Sequence, residues 1–154
     1  MDLNDLLAPN GIVLSLNATT KKQALQVLAE RAADITGLKG RDIFDALLQR
    51  ERLGSTGLGR GIAVPHVKFR GLKQITCLFA RLDTPIAFDS LDNEPVDLIF
   101  LLLAPEHASG DHLKALARIS RLVREPAMLE RLRSASEPSS IKALLSAPAA
   151  SHAA

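Results

Sequence analysis

Val96-Asp97-Leu98-Ile99-Phe100-Leu101-Leu102-Leu103-Ala104 holds one polar side chain in nine residues, and no other segment limits the possible folds so strongly. The run is far short of the roughly 20 residues a membrane helix requires, and its length suits a strand. A strand without polar alternation must be covered on both faces. Ile75–Leu82 (Ile-Thr-Cys-Leu-Phe-Ala-Arg-Leu) has strand length too, and a Pro/Asp/Asn-rich connection separates the two. Helical periodicity supplies the covering layers. Thr20-Lys21-Lys22-Gln23 is a capping-box pattern, after which Ala24, Leu25, Leu28, Ala32 and Ile35 recur at helical spacing until Gly37. A second helix is expected from about Arg41 to Leu53, with Ile43, Phe44, Leu47 and Leu48 inward, Arg50 in its last turn and Gly54 as its stop. Beyond Pro105, Leu113, Leu116, Ile119, Leu122 and Val123 mark a third, capped by Ser109 or Asp111, with His112 in its first turn. Pro126 and Pro138 open two short terminal helices. Helices on both sides of a buried sheet make an α/β or α+β sandwich, whose strand order the sequence does not reveal.

The 154 residues, 47% hydrophobic and 23% charged, suit one domain over residues 1–147, with an Ala-rich tail at 148–154 expected to be disordered. The single cysteine, Cys77, excludes an internal disulfide framework and fits a reducing compartment, so the cytoplasm is the expected location. Net charge is only +2, the basic residues are dispersed, and Trp and Tyr are absent, which argues against nucleic-acid binding. Of the five Phe, Phe79, Phe88 and Phe100 read as core. The opening residues have neither a basic region nor a long apolar one, so neither a signal peptide nor membrane insertion is expected.

Chemistry concentrates where periodicity stops. Gly54–His66 reads Gly-Ser-Thr-Gly-Leu-Gly-Arg-Gly-Ile-Ala-Val-Pro-His, expected to be a loop. Glycines at 54, 57, 59 and 61 can bring backbone N–H groups to one point, and Ser55 and Thr56 could hydrogen-bond an anion or merely cap a turn. Pro65 stiffens the backbone before His66, so that imidazole can be held in one orientation as a nucleophile. The segment lacks the Gly-Lys-Ser/Thr ending of a Walker loop and the spacing of a dinucleotide fingerprint, which disfavours nucleotides. His107 and His112 stand five residues apart, about 500° round a helix, so a metal pair is disfavoured. His112 suits an anion at a helix start, and Arg50 could clamp a phosphoryl group.

Gln49-Arg50-Glu51-Arg52-Leu53-Gly54-Ser55-Thr56-Gly57-Leu58-Gly59-Arg60-Gly61-Ile62-Ala63-Val64-Pro65-His66 closely resembles the phosphorylation-site signature of the mannitol/fructose-type enzyme IIA family of the bacterial phosphotransferase system. Thr84–Asp89, Asp92–Phe100, Leu103-Ala104-Pro105 and Asp111-His112-Leu113 are similar to it as well. Standing without permease or fused carrier segments, the chain most resembles the nitrogen-regulatory branch. The resemblance implies an α/β fold with a central mixed β-sheet and helices on both faces. It implies a phosphotransferase component in which His66 accepts a phosphoryl group on its ε nitrogen from an HPr-like phosphocarrier, charged in turn by enzyme I and phosphoenolpyruvate. His112 and Arg50 match the family's other active-site positions, and Gly54, Ser55, Thr56, Gly57, Gly59 and Gly61 would cradle the phosphate. No cofactor or metal is implied. The expected partners are the carrier and regulated targets such as sensor kinases or potassium-transport proteins. Arg60, at a variable position, would add a positive charge beside the site. A sugar-specific IIA passing phosphate to a IIB component, and a binding module of the same fold that is never phosphorylated, are the alternatives.

Overall fold

A computed structural model describes residues 3–107 and 109–146; the expectation for the 148–154 tail lies outside these. Among the described residues six strands form one mixed sheet. β6 (Val96–Pro105) is central: β5 (Thr76–Ile86) pairs with it antiparallel on one side, while β3 (Ile62–Ala63) and β4 (His66–Phe69) pair parallel on the other. β1 (Leu7–Leu16) extends the sheet beyond β5 in parallel, and β2 (Gly57–Gly59) closes the far edge antiparallel to β3.

β6 is buried from Leu98 to Pro105 on both faces, as its composition demands. Ile99, Leu101 and Leu103 join Leu78, Ala80 and Leu82 of β5 against α2 (Lys21–Thr36) and α3 (Gly40–Arg52). Leu98, Phe100 and Leu102 join Cys77 and Phe79 on the opposite face, beneath α4 (Ser109–Leu122), α5 (Pro126–Ser134) and α6 (Pro138–Leu145), with Leu3 of the short α1 (Leu3–Leu6). The period-two division of side chains thus builds two cores from one sheet. Phe79 and Phe100 meet edge-on across the strands, 5.1 Å between centroids.

Local signals terminate the helices as expected. The Thr20 hydroxyl accepts the Gln23 N–H at 3.1 Å, the Gln23 carboxamide accepts the Thr19 N–H at 2.8 Å, and Gly37 closes α2 at φ 79° with its N–H on Ala33 O. Three expectations are corrected. The Gly-rich segment is a hairpin, β2 and β3, because strand pairing to β6 supplies backbone partners that a loop would lack. β5 runs on to Ile86, past the expected end at Leu82. Ser109 and Asp111 both lie inside α4, as its first and third residues, and not ahead of it as caps.

Arg81 of β5 ties sheet to helix. Its Nε donates to Leu14 O of β1 at 3.2 Å, and its Nη1 to the carbonyls of Leu132, Arg133 and Ala135 at 3.0, 3.2 and 2.6 Å, where α5 ends. One guanidinium thereby satisfies carbonyls that the helix end leaves open. Arg81→Met should cost about 2–4 kcal/mol in urea unfolding, since a charged donor leaves several acceptors behind; a loss below about 1 kcal/mol would mean that water replaces it without penalty.

Candidate functional site

β3 and β4 lie along β6 in one unbroken register: Ile62 faces Leu98, Ala63 faces Ile99, His66 faces Leu102 and Phe69 faces Pro105. Pro65 sits between them without breaking the line, because its carbonyl still accepts the Leu102 N–H at 2.9 Å. Parallel partners share a face. Leu102 belongs to the α4-side core, so His66 projects to that side, while Val67 packs into the α2/α3 core. β6 ends at Pro105 and α4 begins at Ser109, so the first turn of α4 lies at the same end of the sheet as His66. His112, the fourth residue of α4, meets His66 there with ring centroids 5.3 Å apart and planes at 75°.

The two rings differ in environment. His66 is half-buried, and its Nδ1 lies 2.8 Å from Val64 O. A carbonyl can only accept, so Nδ1 carries the proton and the neutral ring keeps its lone pair on Nε2. His112 is buried at 7% exposure, and its Nε2 is enclosed with no hydrogen-bond partner. Burial first, and then the repulsion that a protonated His112 would meet from His66 when that ring is also protonated and from Lys68, hold His112 below the ordinary histidine pKa. An enclosed, unpartnered ring nitrogen beside a lone-pair-bearing imidazole is an arrangement suited to an incoming anion.

The hairpin before His66 is anchored from both ends. Gly57 approaches Ser90 so closely that a Cβ would overlap the Ser90 hydroxyl, and Gly61, at φ 84°, lies against Arg133 where a Cβ has no room. Ser55 Oγ donates to Phe88 O at 2.6 Å and accepts the Gly57 N–H at 3.0 Å. Thr56 gives its hydroxyl proton to Glu51 Oε2 and its N–H to Oε1 at 3.1 Å. Each hydroxyl has one proton, and both are engaged within the protein. The N–H groups of Gly54 and Val64 are likewise bonded to Glu51 O and Thr56 O.

Arg50 stands at the foot of this segment, its Nη1 on Gly54 O at 2.9 Å. Arg60 is placed differently from the expectation of a charge beside the site. Its Nη1 donates to Arg124 O at 2.9 Å, past the end of α4, and its N–H to Asp92 Oδ2 at 2.9 Å. Arg133 completes that junction, holding Asp97 through two bonds of 2.9 Å and donating to Arg60 O. His107 is exposed, and Glu106 beside it pairs with Arg70 at 3.3 Å. Among the described residues no cluster of three or more His, Cys, Asp or Glu could hold a metal. Two participants were missed by sequence reasoning, the Val64 carbonyl and the Glu51 carboxylate. The first has no sequence signal, and the second could have been suspected as an acidic residue on the apolar side of α3.

A depressed histidine pKa makes a prediction about stability. The unfolded chain binds a proton near the ordinary value of 6.5, while folded His112 resists it. The unfolded state therefore holds more protons below that pH, and stability falls as pH drops from about 6.5 toward the folded-state value. Urea midpoints followed from pH 7.5 to 5 should decline, and His112→Gln should decline less steeply; equal slopes would show that His112 protonates as easily when folded.

Residues 5–147 match the family described as "Phosphoenolpyruvate-dependent sugar phosphotransferase system, EIIA 2". A nitrogen regulatory protein of Bradyrhizobium diazoefficiens is 52% identical over 153 residues, 99% of this chain and 100% of that protein. The crystal structure of nitrogen regulatory protein IIA-Ntr from Neisseria meningitidis superposes with a TM-score of 0.89 at 36% identity, covering 93% of this chain and 98% of the other. The mannitol IIA of Escherichia coli shares the fold, with a TM-score of 0.75 at 22% identity over 88% of this chain and 96% of its own. The mixed sheet clad by helices on both faces agrees with these matches: the chain belongs to the EIIA 2 family of the phosphoenolpyruvate-dependent phosphotransferase system, as a phosphotransferase component similar to its nitrogen regulatory members.

Proposed function

We propose that His66 accepts a phosphoryl group on Nε2 from an HPr-like phosphocarrier, itself charged by enzyme I and phosphoenolpyruvate, and that its phosphorylation state governs binding to target proteins in the cytoplasm. The observation that carries this reading is the Nδ1–H of His66 on Val64 O, which leaves Nε2 as the lone-pair nitrogen. Nε2 attacks phosphorus in line as the N–P bond to the carrier histidine breaks. The electron pair of that bond returns to the carrier ring, and the phosphoryl group ends on His66 without water entering the balance.

The chemistry needs alignment and electrostatic stabilisation more than covalent help. His112 supports this role because its enclosed Nε2 has no partner until an oxyanion arrives. Its resistance to protonation keeps the ring neutral at physiological pH, and in the tautomer with the proton on Nε2 it donates a hydrogen bond to a phosphoryl oxygen. Arg50 would turn from Gly54 O toward the phosphoryl oxygens or an acidic partner. The glycines at 54, 57, 59 and 61 shape the backbone path of the cradle, and Ser55 and Thr56 hold it in place through their internal bonds. The scheme draws its phosphoryl group from a protein and requires no cofactor or metal. A phosphoryl group brings two negative charges to this end of the sheet, enough to create or remove an interface with a sensor kinase or a potassium-transport protein.

Incubation with phosphoenolpyruvate, enzyme I and the carrier, followed by intact mass at neutral pH, should give one acid-labile phosphoryl adduct that His66→Ala lacks. That variant should keep the wild-type circular dichroism spectrum, because a half-buried strand-end His contributes little to either core. His112→Ala should slow transfer by roughly 100-fold without abolishing it, the scale of losing one preorganised donor. An adduct retained by His66→Ala would move the acceptor elsewhere. No adduct from a nitrogen-branch carrier, with one from a sugar-branch carrier, would favour a sugar-specific IIA, and none from either would leave a binding module.

A further inference from the structure

From the hydrogen bonds behind the hairpin we infer that Glu51 is a positioning residue for phosphoryl acceptance, acting through Thr56 and Val64 on the ring of His66; this rests on the transfer reading above. Glu51 lies in the last turn of α3 with only 8% exposure, an unusual place for a carboxylate. Three donors converge on it: Lys21 Nζ at 2.9 Å from Oε1, the Thr56 N–H at 3.1 Å from the same oxygen, and the Thr56 hydroxyl on Oε2. Its main-chain carbonyl takes a fourth, the Gly54 N–H at 3.1 Å. Lys21 is itself held over the Phe88 ring, 4.7 Å from its centroid, and reaches Asp89 at 3.6 Å.

From Glu51 the constraint runs stepwise to the nucleophile. Thr56 is fixed by both its backbone and its side chain. Its carbonyl accepts the Val64 N–H at 3.0 Å, which sets where the strand enters the Pro65–His66 step. Val64 O then accepts Nδ1–H of His66 at 2.8 Å. Two links therefore separate a buried carboxylate from the bond that decides which imidazole nitrogen is nucleophilic. A simple packing role would not require this residue type, because a buried ion pair is often no more stable than apolar side chains of the same volume. A carboxylate has two oxygens to receive both Thr56 donors while still facing Lys21, and no apolar side chain can do that. Arg50, one residue earlier, bonds Gly54 O, so the same anchor places the guanidinium foot.

The test compares Glu51→Ala and Glu51→Gln with wild type in the full chain. Two readouts are used that a loss of stability alone would not move: the ring-nitrogen NMR signature of unphosphorylated His66, and carrier-dependent transfer resolved into kcat and KM. Glu51→Ala should populate the Nε2–H tautomer of His66 and lower kcat by roughly 10- to 100-fold, the scale of a small misplacement, with KM for the carrier within about twofold. Glu51→Gln, which keeps an acceptor oxygen for Thr56, should recover most of the rate and the Nδ1–H signature. If Glu51→Ala does not fold, Thr56→Val removes one of the two donors at nearly constant volume and should move both readouts the same way, less far. A folded Glu51→Ala, or failing it Thr56→Val, with wild-type tautomer and kcat would overturn the proposal, as would Glu51→Gln as impaired as Glu51→Ala. Should the wild type take no phosphoryl group, the transfer reading fails, while the tautomer comparison still decides whether Glu51 sets the ring.

Discussion

Burial of β6 on both faces is the constraint from which the rest of this structure follows. A strand carrying Leu98, Phe100 and Leu102 on one side and Ile99, Leu101 and Leu103 on the other cannot lie at a surface. It needs strand partners on both edges to satisfy its backbone and a helical layer over each face to remove its side chains from water. β5 takes one edge along its length. The other edge is filled by short pieces, β3 and β4, joined through Val64 and Pro65 in a single register. Small, turn-rich sequence thus becomes strand because β6 has unpaired groups to offer.

That pairing also determines the geometry of the site. A parallel partner brings its own residue to the same face at each step, so the register that puts His66 opposite Leu102 also aims it at α4. The short link from Pro105 to Ser109 returns the chain over that end of the sheet, and His112 arrives beside His66 without a long loop to order. Sheet and helix ends, which are rigid, carry the two imidazoles, and such support is what preorganised chemistry requires. The bonds from Arg60 to Arg124 O and from Arg133 to Arg60 O fasten the hairpin to the ends of α4 and α5, so both sides of the site share one framework.

Much of this was legible in the residues, and the reasons for success and failure are physical. Thr20, Gln23 and Gly37 act through contacts within a few positions, so local chemistry marks the limits of α2. The apolar runs of β5 and β6 announce burial wherever their partners lie. β1 escaped notice because Pro9-Asn10-Gly11 interrupts it and its register against β5 shifts twice, between Leu7 and Ile12 and again between Val13 and Leu16, so no period-two pattern survives. The hairpin escaped because Gly57, Gly59 and Gly61 carry turn signals, while Ile62 and Ala63 become strand on an edge formed 36 residues later, and Gly57 and Gly59 pair onto them in turn. At the site, His66 stood out through Pro65 and the glycines. The Val64 carbonyl that orients it is a backbone group and has no signature, and Arg60 read as a free charge because its acceptor, Arg124 O, is remote in sequence.

The state of His112 links stability to the proposed transfer. A buried ring nitrogen without a partner costs free energy on the order of 1–3 kcal/mol, a penalty that water or a nearby acceptor would ordinarily relieve. Helix α4 could have placed an apolar residue there, beside Ala115 and Ile119, and gained packing in return. The cost falls on one group, at the one place where an anion bound to the neighbouring ring would relieve it. Under the proposed transfer, an unphosphorylated site held in this way would be less stable than it could be and so biased toward the charged state, before any contribution from Arg50 or from a partner. Phosphorylation would then tighten the contact between β4 and α4, so that the new charge and the stiffened helix start are presented together to whatever protein reads this end of the sheet.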